Sequence, residues 1–331
     1  MSHTYDVIIT GAGPIGISCG IEAVKRNYNY LIIEKGCLVN SLFHYPTNMV
    51  FFSTSERLEI GGVPFVSHGD KPTRREALEY FRRVVNSWNL NVKTYEKVLE
   101  IKDRNGEYEV VTDKQSYKTR NVIIATGFYD KPNLLNIPGE DLSKVKHYFD
   151  EAHPYVYLNL IVIGGGNSAV DVALETYRRG SDVTMVVRED SLKEGVKYWV
   201  RPDIENRINE GSIKAYFNSR VTEIRQEEVD IETPDGILTV KNDFVFAMTG
   251  YHPDFDFLKK AGVEIASEGN PVFNEETYET NRERIYLAGV VCGGMDTSRY
   301  FIENSRSHAE AIFNAMDRKK SQIAAGNDKK Q

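Results

Sequence analysis

The stretch Tyr5-Asp6-Val7-Ile8-Ile9-Thr10, followed by Gly11-Ala12-Gly13-Pro14-Ile15-Gly16, decides the fold of this chain. The first six residues form a short, largely apolar and β-branched run, which is typical of a buried parallel strand. The next six complete a G-x-G-x-x-G motif. In such a motif the first glycine permits a tight turn, the second lets backbone approach a pyrophosphate, and the third lets the following helix pack closely on the strand.

The residues after the motif complete a dinucleotide-binding unit. Ile17, Ile21 and Val24 recur at helical spacing, and a second strand, Tyr28 to Ile33, ends in Glu34. An acid about 20 residues after the first glycine is placed to accept hydrogen bonds from an adenosine ribose. The residues predicted to bind the first dinucleotide are therefore Gly11, Gly13, Pro14, Ile15, Gly16 and Glu34.

A second unit of the same kind follows in the middle of the chain. The run Leu160 to Ile163 leads into Gly164-Gly165-Gly166-Asn167-Ser168-Ala169, a G-x-G-x-x-A motif. The next strand, Asp182 to Val187, ends in Arg188 instead of an acid. Because a guanidinium pairs with a 2′-phosphate that a carboxylate would repel, we expect this unit to prefer NADP(H). Its predicted ligands are Gly164, Gly166, Asn167, Ser168, Ala169 and Arg188.

Two further strands end alike, in Ala125-Thr126-Gly127 and in Met248-Thr249-Gly250. Small residues at strand ends suit crossings between domains, where backbone passes close to a cofactor. Ala125, Thr126 and Gly127 therefore join the first predicted site, and Gly250 joins the second. We expect an α/β fold of two doubly wound, Rossmann-like dinucleotide-binding domains. Residues 1–127 and 251–331 form the first domain, and residues 128–250 are inserted into it as the second.

Two segments outside the glycine motifs complete the predicted organisation of the chain. The stretch 36–72 fits neither the helical nor the strand period and carries many aromatic residues. These aromatic side chains either line the binding site of a flavin ring or pack in the core beneath a long loop, and both interpretations stay open. A helix is predicted from about residue 301 to 318, and the tail beyond it is expected to fray.

Composition excludes several classes of protein. The 331 residues leave room for about two domains. The chain is 41% hydrophobic and 27% charged, which is typical of a soluble globular protein. A net charge of −7 without large blocks of like charge argues against a nucleic-acid partner. No apolar run is long enough for a membrane span and the start has no signal-peptide pattern, so we expect a cytoplasmic protein that does not bind membranes.

The three cysteines, Cys19, Cys37 and Cys292, are scattered along the chain. The sequence has no C-x-x-C motif and no grouping of histidines or cysteines with metal-ligand spacing. This pattern argues against a disulfide framework, a metal site and a local dithiol redox centre. Isolated thiols in such a chain usually act as small buried hydrophobic residues.

The whole pattern resembles the two-domain flavin disulfide reductase superfamily, and its short length resembles the thioredoxin-reductase-like branch. From about residue 4 to 315 the chain is more narrowly similar to the bacterial bacillithiol disulfide reductases. The stretches that carry this resemblance are Phe43-His44-Tyr45-Pro46-Thr47, Phe51-Phe52-Ser53, Gly62-Val63-Pro64-Phe65, Phe149 to Tyr155, Val245 to Asp254 and Phe301-Ile302-Glu303-Asn304.

This resemblance implies FAD in the first site, NADPH in the second, and a homo-oligomer. It implies that hydride passes from NADPH to flavin and that electrons then reach a low-molecular-weight disulfide, such as bacillithiol disulfide, or a small redox protein. Further FAD contacts implied by the family are those of Lys35, His44, Tyr45, Val98, Gly289 and the backbone N–H of Ile302.

The chain departs from its relatives at three places. Thioredoxin reductases carry a C-x-x-C in the inserted domain, whereas no cysteine lies between Gly127 and Gly250. Ile15 stands where the narrower family usually has a cysteine, and Val290 stands where many superfamily members have an aspartate. A dithiol route to thioredoxin is therefore excluded, and the sequence assigns no catalytic residue.

Three other functions remain open at this point. A ferredoxin- or flavodoxin-NADP reductase transfers electrons from the flavin edge without cysteines. Ala125-Thr126-Gly127-Phe128 resembles a strand-end motif of flavin monooxygenases, although the F-x-G-x-x-x-H signature of that class is missing. A redox sensor that binds both nucleotides without turnover belongs to a different class, and steady-state NADPH oxidation would separate it from the enzymes.

Overall fold

The computed structural model describes residues 4–328, so the outermost ends of the predicted first domain, residues 1–3 and 329–331, lie outside it. The chain is an α/β protein, as predicted. Its strands β1 to β17 are, in order, Thr4–Thr10, Tyr30–Ile33, Val92–Lys93, Val98–Asp103, Tyr108–Thr112, Ser116–Ile124, Lys131–Pro132, Val145–Lys146, Asn159–Ile163, Asp182–Val186, Lys214–Tyr216, Arg220–Ile224, Glu228–Thr233, Gly236–Lys241, Phe244–Ala247, Tyr251–His252 and Ile285–Leu287. Its helices α1 to α9 are Pro14–Lys25, Asn40–Phe43, Ser55–Leu58, Arg74–Ser87, Asn167–Tyr177, Arg201–Asn209, Phe255–Lys260, Ile302–Ser305 and His308–Asp328.

The described chain divides into two compact units. The first contains the chain up to His44, then Met49–Lys131, and then the part from Tyr251 onward. The second contains Tyr45–Asn48 and Pro132–Gly250. Within residues 4–328, no helix has both the length and the hydropathy of a membrane span.

The first unit is built on a parallel sheet. β1 lies between β2 and β6, β3 extends the sheet beside β2, and β17 pairs with the C-terminal half of β6. The N-terminal half of β6 instead pairs antiparallel with β5, which pairs with β4. The apolar run of β1 is fully buried from Val7 to Ile9, as expected for a strand covered on both faces.

The second unit repeats this plan with a five-stranded parallel sheet in the order β11-β10-β9-β15-β8. Helix α5 follows the glycine motif and buries Ala169, Val170 and Ala173 in the core of this unit. A separate antiparallel sheet of β12, β13 and β14 lies in the same unit. The two parallel sheets confirm the predicted fold class. The antiparallel strands β4 and β5 of the first sheet and the separate antiparallel sheet of β12, β13 and β14 were not predicted.

The predicted helix at 301–318 is two helices instead of one. The Ser305 hydroxyl donates a hydrogen bond back to the Phe301 carbonyl, a bond of the kind that bends helices, and α8 ends at that residue. Helix α9 then continues to Asp328, well past the point where fraying was expected. Lys319 Nζ lies 2.5 Å from Glu279 Oε1, and this ion pair ties α9 to the segment that precedes β17.

Candidate cofactor sites

The carboxyl ends of four parallel strands meet at one edge of the sheet in the first unit. Thr10, the last residue of β1, lies in register with Ile33 of β2 and Ile124 of β6. Leu287 of β17 is in turn opposite Ile124. The residues that follow these strand ends are therefore brought together at the edge where open α/β sheets bind their ligands.

The backbone of the first glycine motif packs closely against this edge of the sheet. Gly11 has a φ of +105°, and a Cβ atom there would lie 2.5 Å from the Ala125 carbonyl oxygen. A Cβ atom on Gly16 would lie 1.9 Å from the carbonyl oxygen of Gly11. Gly13, in contrast, has no atom within 4 Å of its Cβ position. The loop is thus tightly packed on the sheet side and open at Gly13, as the approach of a pyrophosphate requires.

Helix α1 begins directly after this loop, with Gly13 as its N-cap and Pro14 in its first turn. In the described part of the chain, no side chain caps its N-terminus and no acid stands in its first turn. The first N–H groups of a helix lack intrahelical partners and carry a partial positive charge. These residues therefore fit the anionic group of a dinucleotide.

Glu34 lies beside the loop and is buried, with 6% of its surface exposed. Its carboxylate accepts hydrogen bonds from the N–H groups of Ala12, at 2.8 Å, and Gly36, at 3.0 Å. Burial raises the pKa of this carboxyl, although the two N–H donors oppose the shift. Each carboxylate oxygen has capacity for a further hydrogen bond. The side chain is held in place and can still accept the hydroxyls of a ribose.

The strand-end residues predicted for the first site lie at the same edge. The Ala125 N–H donates to the Thr10 carbonyl at 2.8 Å, which places Thr126 and Gly127 directly beyond the glycine loop. Gly127 has a φ of +71° and its Cβ position lies 3.8 Å from Val290 Cγ2. The structure therefore brings these residues together with the first glycine motif.

The closing strand supplies Gly289, which has a φ of +84°. A Cβ atom there would lie 3.0 Å from Ile15 Cγ1, so the Gly289 backbone packs directly against the glycine motif. Ile15, which stands where the family usually has a cysteine, is buried in this contact. Ile302 is the first residue of α8, a helix of only four residues.

The remaining residues predicted for the first site lie further out. Lys35 forms an ion pair with Asp130. His44 is exposed, and its carbonyl accepts the Tyr129 hydroxyl at 3.1 Å. Tyr45 is grouped with the second unit. Val98 begins β4, close after a segment whose Glu96 N–H donates to the Glu34 carbonyl at 2.9 Å.

The second unit repeats the construction of the first glycine motif. Gly164 has a φ of +130°, and a Cβ atom there would lie 2.5 Å from the Met248 carbonyl oxygen and 3.4 Å from Ala169 Cβ. Gly166 is the N-cap of α5, which also has no side-chain cap and no acid in its first turn within the described residues. This loop therefore fits a second anionic group.

Asn167 holds the loop that follows the next strand. Its Nδ2 donates to the Gly195 carbonyl at 2.8 Å, and its Oδ1 accepts the Lys197 N–H at 2.9 Å. These two bonds give Asn167 a role in holding this loop, which sequence reasoning did not assign.

Two other residues predicted for the second site have simpler surroundings. Ser168, beside Asn167, is exposed. Gly250 has a φ of +91°, and its carbonyl accepts the Asn133 N–H at 2.9 Å.

Arg188 lies just after β10, and its side chain is 83% exposed. Its Nη2 atom lies 3.1 Å from Glu189 Oε1, and this interaction contributes to lowering the pKa of Glu189. Burial is the larger influence on that carboxyl and opposes the shift. Lys193 lies close by, since its Cδ is 3.8 Å from the Cβ position of Gly166. The predicted 2′-phosphate ligand Arg188 is therefore paired with a competing carboxylate, and Lys193 adds positive charge beside the glycine loop.

None of the three cysteines forms a disulfide. Cys19 is fully buried and Cys292 is 1% exposed, and burial raises the pKa of both thiols well above the usual range. Cys37 is partly exposed, and its pKa is raised by burial and by nearby Glu34. Among the described residues no group of three or more His, Cys, Asp or Glu side chains could hold a metal ion.

Sequence reasoning missed one residue at the first site altogether. His308, the first residue of α9, accepts a hydrogen bond on Nδ1 from the Gly289 N–H at 3.2 Å. Nothing in the local pattern around His308 indicates this contact, because it depends on how α9 packs on the sheet.

Comparison with known proteins agrees with this geometry. The family model described as pyridine nucleotide-disulphide oxidoreductase matches residues 8–289. Bacilliredoxin reductase Bdr of Bacillus subtilis (strain 168) is 47% identical over 308 residues, which cover 92% of this chain and 95% of that protein. The structure of bacillithiol disulfide reductase Bdr (YpdA) from Staphylococcus aureus has a TM-score of 0.93 and 43% identity, and covers 97% of this chain and 100% of its own.

The bacillithiol disulfide reductase Bdr (YpdA) from Bacillus cereus has a TM-score of 0.92 and 42% identity, over 95% of this chain and 98% of its own. These matches confirm the resemblance found in the sequence, and they identify the chain as an oxidoreductase enzyme. The chain belongs to the pyridine nucleotide-disulphide oxidoreductase family, and within it to the group of the bacillithiol disulfide reductases.

Proposed function

We propose that this protein uses FAD and NADPH to reduce a low-molecular-weight disulfide such as bacillithiol disulfide. In this proposal residues 1–127 and 251–331 bind FAD, and residues 128–250 bind NADPH. The overall reaction consumes one NADPH and one proton and converts one disulfide into two thiols. We further propose that the enzyme works in the cytoplasm as a homo-oligomer, as the family resemblance implies.

The first site supports FAD binding through three features. The open backbone at Gly13 and the uncapped start of α1 suit the pyrophosphate, and the buried Glu34 carboxylate suits the adenosine ribose. When bound, the flavin carries two electrons between a nicotinamide and an acceptor. The contribution of the chain is to fix its position and to exclude solvent from it.

The second site supports NADPH through its glycine loop and its cations. Gly166 is the N-cap of α5, as Gly13 is the N-cap of α1. Arg188 and Lys193 supply positive charge near this loop. Arg188 must exchange Glu189 for the 2′-phosphate when the nucleotide binds. Because the Arg188 side chain is 83% exposed and that of Glu189 is 40% exposed, solvent weakens their pairing and this exchange costs little.

The burial of the cysteines is the observation that supports a direct route from the flavin to the acceptor. A thiolate is the reactive form of cysteine, and burial keeps Cys19 and Cys292 protonated. A dithiol relay also needs two cysteines within bonding reach, and this chain has no C-x-x-C. We therefore propose that electrons pass from the flavin directly to the bound disulfide.

A small redox protein is the second candidate acceptor. The Bacillus subtilis relative is named a bacilliredoxin reductase, whereas the two similar structures are named bacillithiol disulfide reductases. A cysteine-free flavin route suits either acceptor. The two candidates differ in whether a protein disulfide or a free small disulfide restores the oxidised flavin.

Two half-reactions tested separately decide among these functions. Under anaerobic conditions one equivalent of NADPH should bleach the flavin absorption, and bacillithiol disulfide should then restore it with release of two thiols. Restoration only by a disulfide-containing redoxin would favour the second candidate. Restoration only by ferredoxin or by oxygen would overturn both, and bleaching without steady-state NADPH oxidation by any acceptor would indicate a sensor.

Replacing Glu34 by Ala should weaken FAD binding about 10- to 150-fold. This range corresponds to the ~1.5–3 kcal/mol of a hydrogen bond to a charged group. Titration of cofactor-free protein with FAD, followed by flavin fluorescence, measures the effect. The melting temperature of the cofactor-free variant should be determined alongside, and unchanged FAD affinity in a folded variant would remove Glu34 from the site.

Changing Arg188 to Glu should shrink or invert the preference for NADPH over NADH, since it removes an attraction to the 2′-phosphate and adds a repulsion. Stopped-flow rates of flavin reduction with each nucleotide provide the measurement. Arg104→Glu is the matched control, because Arg104 is also an exposed arginine paired with a carboxylate, that of Glu109, and it belongs to the first unit instead of the second. Equal rates with both nucleotides in the unaltered protein would contradict the assigned role.

The variant with Cys19, Cys37 and Cys292 all replaced by Ser should retain both half-reactions within a few-fold of the parent rates. The expectation follows from the burial and raised pKa values of the thiols. Each half-reaction is followed by flavin absorption. A collapse confined to the acceptor half-reaction, with FAD content and fold intact, would show that one of these cysteines is catalytic.

A further inference from the structure

His308 occupies an unusual position for a histidine. It is 1% exposed, its ring stacks on Tyr278 with a centroid distance of 4.0 Å, and the edge of Tyr300 meets it at 5.0 Å. Cys292 Sγ lies 3.9 Å from its Nδ1 atom. The function proposed above makes no use of this side chain, although its ring accepts a hydrogen bond from Gly289, which lies two residues after β17.

The hydrogen bonds determine which ring nitrogen carries the proton. The Gly289 N–H can only donate, so Nδ1 must be the acceptor of the 3.2 Å bond and the neutral ring carries its hydrogen on Nε2. The Cys292 thiol can donate weakly to the same nitrogen. Burial lowers the pKa of His308 to about 4, which agrees with a neutral ring.

Gly289 links the hydrogen bond of His308 to the first glycine motif. Gly289 is held at a φ of +84°, and its Cβ position lies 3.0 to 3.3 Å from three atoms of Ile15. Ile15 lies in the first turn of α1, directly beyond the open backbone of Gly13. A shift of the Gly289 backbone would therefore displace the residue that follows the pyrophosphate-binding part of the loop.

We propose that His308 is a positioning residue for the flavin site. Its Nδ1 atom holds the Gly289 amide and so keeps the turn after β17 packed against the first glycine motif. The proposal rests on the proposed binding of FAD to this unit. It adds a requirement at a residue that does not belong to any of the sequence motifs.

Two substitutions separate the hydrogen bond from simple packing. His308→Leu replaces the imidazole by an apolar side chain of similar reach and removes the acceptor, which leaves the buried Gly289 N–H unpaired. His308→Asn places an amide oxygen close to the position of Nδ1. The Kd for FAD should rise about tenfold in the Leu variant, which corresponds to ~1.4 kcal/mol. In the Asn variant the Kd should stay within about threefold of the parent value.

The matched control is Phe313→Leu on the same helix. Phe313 is fully buried, and its ring lies perpendicular to that of Tyr28 at a centroid distance of 5.2 Å, so its replacement lowers stability while His308 keeps its acceptor for the Gly289 N–H. We expect its Kd for FAD to equal that of the parent. An equal rise in Kd in the Phe313 and His308→Leu variants, or no restoration by Asn, would overturn the positioning role.

A second measurement does not depend on flavin. In cofactor-free protein the Gly289 amide should exchange with deuterium at least tenfold faster in His308→Leu than in the parent, and the Asn variant should restore slow exchange. Unchanged exchange would overturn the inference even where FAD binds well. Failure of the parent protein to bind FAD would instead contradict the proposed function, while the exchange result would still decide whether His308 holds the turn.

Discussion

Both glycine loops of this protein depend on the close approach of a glycine to the carbonyl at the end of a neighbouring strand. A Cβ atom would stand 2.5 Å from that oxygen at Gly11, opposite Ala125, and again 2.5 Å at Gly164, opposite Met248. Real Cβ atoms do not come so close, so both loops depend on the absence of one carbon atom. The starts of α1 and α5 and both predicted nucleotide sites are arranged around this contact.

The two sites built on this contact differ in electrostatics. The first holds a buried carboxylate, Glu34, fixed by two backbone N–H groups. The second holds an exposed guanidinium, Arg188, which pairs with its partly exposed neighbour Glu189. Buried charges gain strength and precision from low dielectric surroundings, whereas exposed pairs exchange partners easily. The first site is therefore suited to a cofactor that stays bound, and the second to a nucleotide that enters and leaves in each turnover.

The sequence was most informative where one local pattern determines the structure. The strand at Tyr5, the glycine motif after it and Glu34 follow each other within one unit, so spacing alone predicted them. The antiparallel strands were missed although consecutive strands pair across short turns, because they are short and their alternating burial gives a weaker signal than a continuous apolar run. The break before His308 coincides with the hydrogen bond from the Ser305 side chain to the Phe301 carbonyl, and the His308 contact depends on tertiary packing. No periodicity reports such interactions.

The burial of the thiols also bears on how such an enzyme survives oxidative stress. Peroxides and alkylating reagents attack thiolates, and Cys19 and Cys292 are both inaccessible and held as thiols. Only Cys37 offers a partly exposed sulfur, and its pKa is raised as well. A reductase with this arrangement has few sites for damage by the oxidants that produce its proposed substrate, so its activity should persist when other thiol enzymes are inactivated.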